Sequence, residues 1–402
     1  MKKKLLQINT VVNLGSTGRI AEQIGALAIE KKWDSYIAFG RNPVESKSKL
    51  IKIGSFYDVI HHIAKTRLFD LHGLESKTST KKLIEDIKLI KPDIVHIHNL
   101  HGYYINYKIL FDYLKASNAH VVWTMHDCWP FTGHCAYYDF VGCNKWQKEC
   151  FNCEQKKKYP SSLIVDRSKK NYYDKLASFT KINNLTLVPV SNWLNCEVKK
   201  SFLKNVISKV IHNGVDTNIF KPTDSNKVLV NEKPFILGVA GDWVERKGLL
   251  DFIKLSEILP NKYTIILIGL TASQIKKLPK NIIGLEKTQN LNELVSYYSK
   301  ALVFFNPTYE DNFPTTNIES LSCGTPIITY NTGGSPEAID NKTGFIVEKG
   351  ALTSVLNCIE NIYKKGKNSL ECRERAIKMF DKNNKFNEYF NLYNKILKNA
   401  KK

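Results

Sequence analysis

Short apolar runs alternate with helix-forming segments along almost the whole chain, and this alternation limits the fold more than any other feature. In the first half, five runs predict strands: Lys4–Asn9, Ser35–Phe39, Asp93–His98, His120–Thr124 and Leu185–Val190. Their apolar residues follow one another without polar alternation, which is typical of parallel strands covered by helices on both faces. The segments between them have helical spacing. We therefore predict a doubly wound α/β domain.

The same alternation begins again after the Asn213-Gly214 turn and a polar segment, Lys221–Lys233, that is a candidate linker. Six further strands are predicted at Phe235–Ala240, Tyr263–Ile268, Asn281–Leu285, Leu302–Phe305, Pro326–Thr329 and Gly344–Val347. The tail has the apolar spacing of an amphipathic helix. We predict an N-terminal domain over residues 1–220, a C-terminal domain over 221–380, and a terminal helix over 381–402 that packs back on the first domain.

Length and composition exclude several classes of protein. The chain has 402 residues, 43% of them hydrophobic and 24% charged, which suits two or three globular domains and excludes a disordered chain. No apolar run approaches the roughly 20 residues of a membrane-spanning helix. The basic N-terminus also lacks the apolar core of a signal peptide. We expect a cytoplasmic protein.

The net charge of +21 comes almost entirely from lysine, because only seven of the 59 basic residues are arginines. Lysine lacks the planar fork with which arginine contacts base edges, so the excess does not indicate specific nucleic-acid recognition. It suits weak attraction to anionic surfaces, and the inner face of the cytoplasmic membrane is a candidate partner for peripheral binding. Solubility alone is the other explanation of the same charge.

Five of the nine cysteines fall between Cys128 and Cys153. Four of them, Cys135, Cys143, Cys150 and Cys153, have the spacing C-x7-C-x6-C-x2-C. In a reducing compartment, clustered thiols suggest a metal rather than disulfides, and C-x2-C is the usual half of a zinc site. We predict an inserted lobe over residues 128–165 that these four thiols hold together through a structural zinc ion. Buried free thiols or disulfides are the alternatives.

The segment Asn306–Pro326 carries the strongest candidate site. It follows a predicted strand, and Thr315 or Thr316 is a suitable N-cap for the helix that comes next. The start of a helix after a strand can bind an anion. Two acids, Asp311 and Glu319, are separated by seven residues around this point. Taken alone, they fit a ligand site or a capping acid plus a solvated one equally well.

This segment resembles the E-x7-E region of the retaining group 1 glycosyltransferases of the GT-B fold, in particular the branch found in capsule, O-antigen (lipopolysaccharide) and colanic-acid gene clusters. Five more segments occur in the family order: Val190-Ser191-Asn192, Ile211–Asp216, Arg246–Leu249, Gly324-Thr325-Pro326 and Gly333-Gly334. The resemblance covers nearly the whole chain. It implies two tandem doubly wound Rossmann-like domains facing across a cleft, with a C-terminal crossing helix.

The resemblance also implies how the donor is held. Glu319 takes the hydroxyls of the nucleotide ribose, and Asp311 stands where the family usually has a glutamate, so Glu310 remains an alternative for that position. The residues that face the sugar and the β-phosphate are Asn312, Phe313, Pro314, Thr315 and Thr316. Lys247 matches a family cation, and Arg246 is a stand-in for the second one. Both carry charge that a diphosphate would neutralise.

In the first half, the resemblance places Gly15, Ser16 and Thr17 beneath the donor phosphates and beside the acceptor. A tight strand-to-helix turn is the purely structural alternative. His126 follows a predicted strand and, by the resemblance, lies against the donor hexose. Two histidines upstream, His96 and His98, share one face of a strand, and we expect them to line the cleft rather than bind a metal.

These observations predict a retaining hexosyltransferase that needs no metal for catalysis, because Lys247 and Arg246 can neutralise a leaving diphosphate and the chain has no Asp-x-Asp. The expected donor is a nucleotide-diphosphate sugar, with UDP as the first choice of nucleotide, and the expected acceptor is lipid-linked or a saccharide. A nucleotide-sugar epimerase or another GT-B enzyme is the alternative within this fold. The alternative of another class is a basic, zinc-bearing nucleic-acid-binding protein.

Overall fold

The computed structural model describes residues 2–224 and 233–400, and it divides the chain into two compact units. The first unit runs to His212 and takes up the chain again at Phe386, while the second spans Asn213–Lys385. The division therefore falls eight residues before the boundary expected at residue 220. Residues 225–232, in the middle of the expected linker, lie outside the described residues.

The first unit is built on a seven-stranded parallel sheet with the order β3-β2-β1-β4-β5-β6-β7. Its strands are β1 (Lys4–Asn9), β2 (Asp34–Phe39), β3 (Lys49–Lys52), β4 (Ile94–Ile97), β5 (His120–Met125), β6 (Leu185–Pro189) and β7 (Ile207–Ser208). Its helices are α1 (Gly15–Glu30), α2 (Phe56–Phe69), α3 (Lys77–Ile90), α4 (Tyr107–Ala116), α5 (Ser168–Phe179) and α6 (Asn192–Lys200). The central strands are buried, as their unbroken apolar runs predict.

The second unit repeats this architecture with a six-stranded parallel sheet of order β10-β9-β8-β11-β12-β13. Its strands are β8 (Phe235–Val239), β9 (Thr264–Ile268), β10 (Ile282–Leu285), β11 (Val303–Asn306), β12 (Ile327–Tyr330) and β13 (Gly344–Val347). Its helices are α7 (Leu249–Ile258), α8 (Ala272–Ile275), α9 (Leu291–Lys300), α10 (Thr315–Ser322), α11 (Leu352–Lys365) and α12 (Ser369–Phe380). The doubly wound α/β fold predicted for both halves is confirmed.

The last helix, α13 (Lys382–Asn399), contains the unit boundary, between Lys385 and Phe386. From Phe386 onward its aromatic side chains pack into the core of the first unit, where Trp33 meets Phe390 with ring centroids 5.4 Å apart. The hydroxyl of Tyr393 lies 2.7 Å from Nδ1 of His96, so α13 also supplies a hydrogen-bond partner for a buried side chain of β4. Among the described residues, no helix combines the length and apolarity that crossing a bilayer requires.

Candidate active site

The loop after β11 leads directly into α10, and this junction is the centre of the candidate site. The helix begins at Thr315 with Pro314 as its N-cap, and no side chain caps its first amide groups. The expectation that Thr315 or Thr316 is the N-cap was therefore wrong, because Pro314 supplies the extended backbone that precedes the first turn. An uncapped helix start presents amide donors and the positive end of the helix dipole to an anion.

Glu319 lies one turn into α10, and its carboxylate is held in place. Its Oε2 accepts a hydrogen bond of 3.1 Å from the hydroxyl of Tyr298, which is fully buried. The start of the same helix is fixed by Asn317, whose amide accepts from Asn306 at 2.8 Å and donates to the carbonyl of Ser335 at 3.3 Å. The half-buried Glu319 carboxylate thus has a defined position at the edge of the sheet.

A short 3-10 turn, Glu245–Lys247, brings two cations against the loop after β11. Nζ of Lys247 lies 2.5 Å from Oδ2 of Asp311, and both side chains are partly exposed. Nη1 of Arg246 donates to the carbonyl of Glu310 at 2.9 Å. The structure therefore brings together Arg246, Lys247 and Asp311, which the sequence analysis named. The residue Glu310 is 4% exposed, so Asp311 is the acid of this pair that is open to a ligand.

Two glycines allow these segments to approach so closely. Gly248 has a φ of +74°, and a Cβ there would lie 2.3 Å from the carbonyl oxygen of Pro307. Gly333 has a φ of +52°, and a Cβ there would lie 1.8 Å from the carbonyl oxygen of Asp311. Any other residue would push the loop away, so both glycines are needed to hold Asp311 and the Lys247 turn in contact.

In the first unit, α1 starts at Gly15 without a side-chain cap, and Gly15 has a φ of +63°. Gly15 and Ser16 are exposed, while Thr17 lines a cavity of about 310 Å³. This loop therefore contains the small, accessible residues that the sequence analysis assigned to phosphate and acceptor contacts.

The cavity contains a histidine–carboxylate pair that the sequence analysis did not single out. Nε2 of His101 lies 2.7 Å from Oδ2 of Asp127, and its Nδ1 lies 3.0 Å from the hydroxyl of Tyr159. Arg41 also lines the cavity, and its Nε is buried without a hydrogen-bond partner among the described residues. The full lining is Thr10, Val11, Thr17, Arg41, Asn99, His101, Asp127, Ala136, Tyr137 and Tyr159.

His126 lies next to this cavity wall but belongs to a row of stacked histidines. Its Nε2 lies 3.2 Å from Nδ1 of His98, and the two rings are nearly parallel with centroids 5.5 Å apart. The ring of His126 is half-buried. Desolvation by the atoms packed around it lowers the pKa of His126 to about 4. His126 is therefore neutral at pH 7 and can accept or donate one hydrogen bond to a sugar hydroxyl.

The expectation that His96 and His98 line an open cleft was wrong. Both are buried, with exposures of 0% and 1%. Nε2 of His96 lies 2.7 Å from Oγ1 of Thr124, and Tyr393 contacts its other nitrogen. The strand face that carries them is covered by α13. The alternation of side chains along a strand says which residues share a face, but not what covers that face.

The four cysteines proposed for zinc, Cys135, Cys143, Cys150 and Cys153, do not form a ready tetrahedral site. Within residues 2–224 and 233–400, the single group of three or more potential ligands whose atoms lie within 4.8 Å of one another is Asp70, His72 and His134. The thiol of Cys135 donates a hydrogen bond to Cys153, which lowers the pKa of Cys153 to about 7. Cys143 and Cys153 are half-buried. The zinc site of four thiolates stays a prediction.

Comparison with known proteins finds similarity to glycosyltransferases. Residues 220–379 match the family model described as glycosyl transferases group 1. Over 367 residues the chain is 24% identical to WcaC of Escherichia coli K12, described as a colanic acid biosynthesis glycosyl transferase. This match covers 86% of this chain and 87% of WcaC. It is 30% identical over 166 residues to the capsular polysaccharide biosynthesis glycosyltransferase CapM of Staphylococcus aureus, covering 37% of this chain and 43% of CapM.

Solved structures match the chain over nearly its full length. Sucrose-phosphate synthase from Thermosynechococcus elongatus superposes with a TM-score of 0.71 at 16% identity, covering 98% of this chain and 99% of that one. Anabaena Alr3699/HepE, solved in complex with UDP-glucose, gives a TM-score of 0.67 at 13% identity with coverages of 98% and 99%. At these identities the likeness shows the fold alone.

Proposed function

We propose that this chain is a group 1 glycosyltransferase of the GT-B fold, and that it transfers a hexose-type sugar from a nucleotide-diphosphate sugar to an acceptor used in surface polysaccharide biosynthesis. One observation carries the proposal. The Lys247–Asp311 ion pair lies at the loop that runs into the uncapped start of α10, one turn before Glu319. Cations, amide donors and a carboxylate in this order suit the diphosphate and ribose of a sugar nucleotide.

When the donor binds, its diphosphate would replace Asp311 as the ionic partner of Lys247. Lys247 and Arg246 neutralise the departing phosphates, and the first amides of α10 donate to the same oxygens. Asp311, released from Lys247, accepts hydrogen bonds from hydroxyls of the sugar. A relative in fold, Alr3699/HepE, is known with UDP-glucose, which favours UDP as the nucleotide.

We assign a retaining reaction without a catalytic metal, because two cations and a helix start already supply the charge that the leaving group needs. In front-face attack, the departing β-phosphate oxygen takes the proton of the acceptor hydroxyl while that hydroxyl forms the new bond to the anomeric carbon. Neutral His126 then orients the hexose rather than acting as a base.

The cavity of the first unit is the candidate acceptor site. Its wall offers an aromatic surface from Tyr137 and Tyr159, the His101–Asp127 pair, and the Arg41 guanidinium. Sugars stack on aromatic rings, and a guanidinium suits the phosphate of a lipid-linked acceptor. The net charge of +21 would favour approach to the anionic membrane surface where such an acceptor resides.

Glu319→Ala is expected to weaken binding of the nucleotide about 10-fold to 100-fold, because two hydrogen bonds from ribose hydroxyls to a carboxylate are lost. A thermal-shift titration with UDP, GDP, ADP and dTDP, with and without Mg²⁺, measures this. The wild type should gain about 2.7 kcal/mol of apparent stability at 100 times the dissociation constant of its own nucleotide. Glu257→Ala, on the exposed face of α7, is the control. An unchanged dissociation constant in Glu319→Ala would refute this donor site.

Arg41→Ala is expected to raise the KM for an acceptor sugar carried on a prenyl diphosphate roughly 10-fold or more, since a charge-assisted hydrogen bond contributes about 1.5–3 kcal/mol. The affinity for the donor nucleotide should stay the same, because Arg41 lines the cavity of the first unit. Arg19→Ala, on the exposed side of α1, is the matched control. An Arg41→Ala enzyme with an unaltered acceptor KM would show that the acceptor binds elsewhere.

A further inference from the structure

The outer side of α2 carries apolar side chains where helices that face solvent usually carry polar ones. Ile60 and Leu68 follow Tyr57 by three and eleven residues, so the three lie on one side of the helix. All three are exposed, Tyr57 by 80%. The opposite side, with Val59 and His62, is buried in the first unit. A helix that is apolar on its outer side as well is normally covered on both sides.

A second exposed apolar segment, Leu163–Val165, extends this surface. Its first and last amides donate to the carbonyls of Arg67 and Leu68 at 2.7 Å and 3.3 Å, so the segment lies against the last turn of α2. All three of its side chains are exposed, Ile164 by 65%. Single exposed apolar residues are normal on a protein, but a group built from two segments marks a surface that binds a partner. These side chains form the apolar face: Tyr57, Ile60, Leu68, Leu163, Ile164 and Val165.

Cations border the apolar face and indicate the chemistry of that partner. The helical period places Lys65 and Arg67 on either side of the row of apolar side chains on α2. Nζ of Lys156 donates to the carbonyl of Ile164 at 3.1 Å, at the other segment of the face. The next two residues, Lys157–Lys158, are exposed lysines. A partner that covers the apolar face therefore meets positive charge at its border.

The acids that adjoin these segments are engaged in contacts of their own. Asp58, the one acid in the sequence of α2, closes the capping box at the first turn. Glu154 pairs with Lys145 at 3.2 Å, and Asp166 accepts two backbone amides at 2.6 Å and 2.8 Å. Protein–protein interfaces are depleted in lysine, whereas apolar side chains bordered by lysines suit the boundary between acyl chains and anionic headgroups. The border thus favours a lipid surface over a protein.

We propose that the apolar face binds the surface of an anionic lipid bilayer. The side chains of Tyr57 and Ile164 enter the boundary between headgroups and acyl chains, where burial of apolar area drives binding. Lys65, Arg67 and Lys156 stay at the level of the lipid phosphates, which attract them. The helix α2 lies along the membrane surface in this arrangement.

Docking in this way brings the cavity of the first unit close to the bilayer. His62, on the buried side of α2, packs against Tyr103 with ring centroids 6.0 Å apart. Tyr103 in turn packs against Tyr159, which lines the cavity, with centroids 5.9 Å apart. Tyr159 also precedes Leu163 by four residues, so one stretch of chain joins the cavity wall to the apolar face. A lipid-linked acceptor would keep its tail in the bilayer while its polar end reaches the cavity, and this last step rests on the proposed sugar transfer.

Flotation of the full chain with vesicles at physiological salt tests the proposal. The assay contains no donor and no acceptor, so its result is independent of sugar transfer. Vesicles of equal parts phosphatidylcholine and phosphatidylglycerol should bind the chain about tenfold more tightly than vesicles of phosphatidylcholine alone, because several cations meet anionic lipid. Absence of binding to the anionic vesicles, or equal binding to both kinds, would overturn the proposal.

Variants locate the contact. Tyr57→Ser and Ile164→Ser should each weaken binding to the anionic vesicles about tenfold, and both should keep the thermal midpoint of the wild type because both side chains are exposed. Leu89→Ser, which changes an 80% exposed leucine on α3, is the matched control and should bind as the wild type does. Arg67→Gln should weaken binding about fivefold, whereas Lys254→Gln, exposed on α7, should not.

Amide hydrogen exchange gives a second readout that does not depend on any substitution. Anionic vesicles should slow exchange in Leu163–Val165 and in α2, and should leave α7 unchanged. Protection confined to other segments, or an affinity that neither serine variant of the apolar face lowers, would show that the membrane binds elsewhere. A dimer in solution that Tyr57→Ser dissociates would overturn the proposal in favour of a second copy of the chain.

Discussion

Lys247→Met is expected to lower kcat by about two to three orders of magnitude with little loss of stability. Lys247 lies in the 3-10 turn before α7, and its Nζ is 2.5 Å from Oδ2 of Asp311. A preorganised charge beside a leaving phosphate acts mainly in the transition state. Removal of one such group typically costs about 10²–10³ in rate. The side chain is partly exposed, so methionine should be accommodated without a cavity.

Steady-state kinetics with a fixed acceptor distinguish this role from simple donor binding. If Lys247 acts on the leaving group, kcat falls much more than the donor KM rises. Lys254→Met, on the exposed face of α7, removes an equal charge and should change neither value. A Lys247→Met enzyme that keeps kcat within about threefold of the wild type would contradict the assignment. Asp311→Asn tests the partner, which we expect to affect the donor KM as well.

The sequence was sufficient for the fold because its central strands are buried on both faces. Their unbroken apolar runs predict parallel strands, and β1, β4 and β5 lie where those runs predict them. The edge strand β3 was missed, since three of its four residues are exposed and its lysines break the apolar run. Its pairing with β2 depends on the neighbouring strand rather than on its own sequence.

The candidate site was predictable where its residues lie in one contiguous segment. Asp311 and Glu319 belong to a single strand–loop–helix, so the sequence places them close together, while their roles come from the family resemblance. The acceptor cavity was not predictable in this way, because Arg41, His101 and Asp127 come from loops that meet only in the folded sheet. They lie far apart in the sequence and become neighbours only in the folded chain.

The same reasoning explains the error at the paired histidines. His96 and His98 alternate correctly on one strand face, yet that face is covered by a helix almost 300 residues later in the chain, whose Tyr393 bonds to His96. The zinc prediction rests on the local C-x2-C pattern and stays a prediction. The hydrogen bond between His134 and Asp70 joins residues 64 positions apart, so no spacing rule predicts it.

The free energy of unfolding is expected to fall steeply between pH 7 and pH 5, because several histidines are buried in the neutral form. Burial lowers the pKa of His62 and His96 to about 3, against an ordinary value of 6.5. The unfolded chain binds protons in this range and the folded protein does not, so stability is lost as the pH falls below about 6.5. At pH 5 each of these two groups costs about 2 kcal/mol.

Other buried groups change the size of this effect but not its sign. The lowered pKa of His126 adds to it. The raised pKa of His134 opposes it, since that group binds its proton more tightly in the folded state. One opposing group does not outweigh the others. A net loss of several kcal/mol is a large part of the roughly 5–15 kcal/mol that stabilises a typical domain.

Urea unfolding of the chain at pH 7 and pH 5 measures this loss, and His62→Gln isolates one contribution. The amide of Gly73 donates to Nε2 of His62 at 3.1 Å, so a proton on that nitrogen would face another donor. Glutamine should lower stability at pH 7, yet it should reduce the difference between the two pH values by about 2 kcal/mol. His61→Gln removes the neighbouring histidine, whose side chain is 58% exposed, and should leave that difference unchanged. An unfolding free energy that is equal at both pH values would show that the buried histidines accept protons without opening the fold.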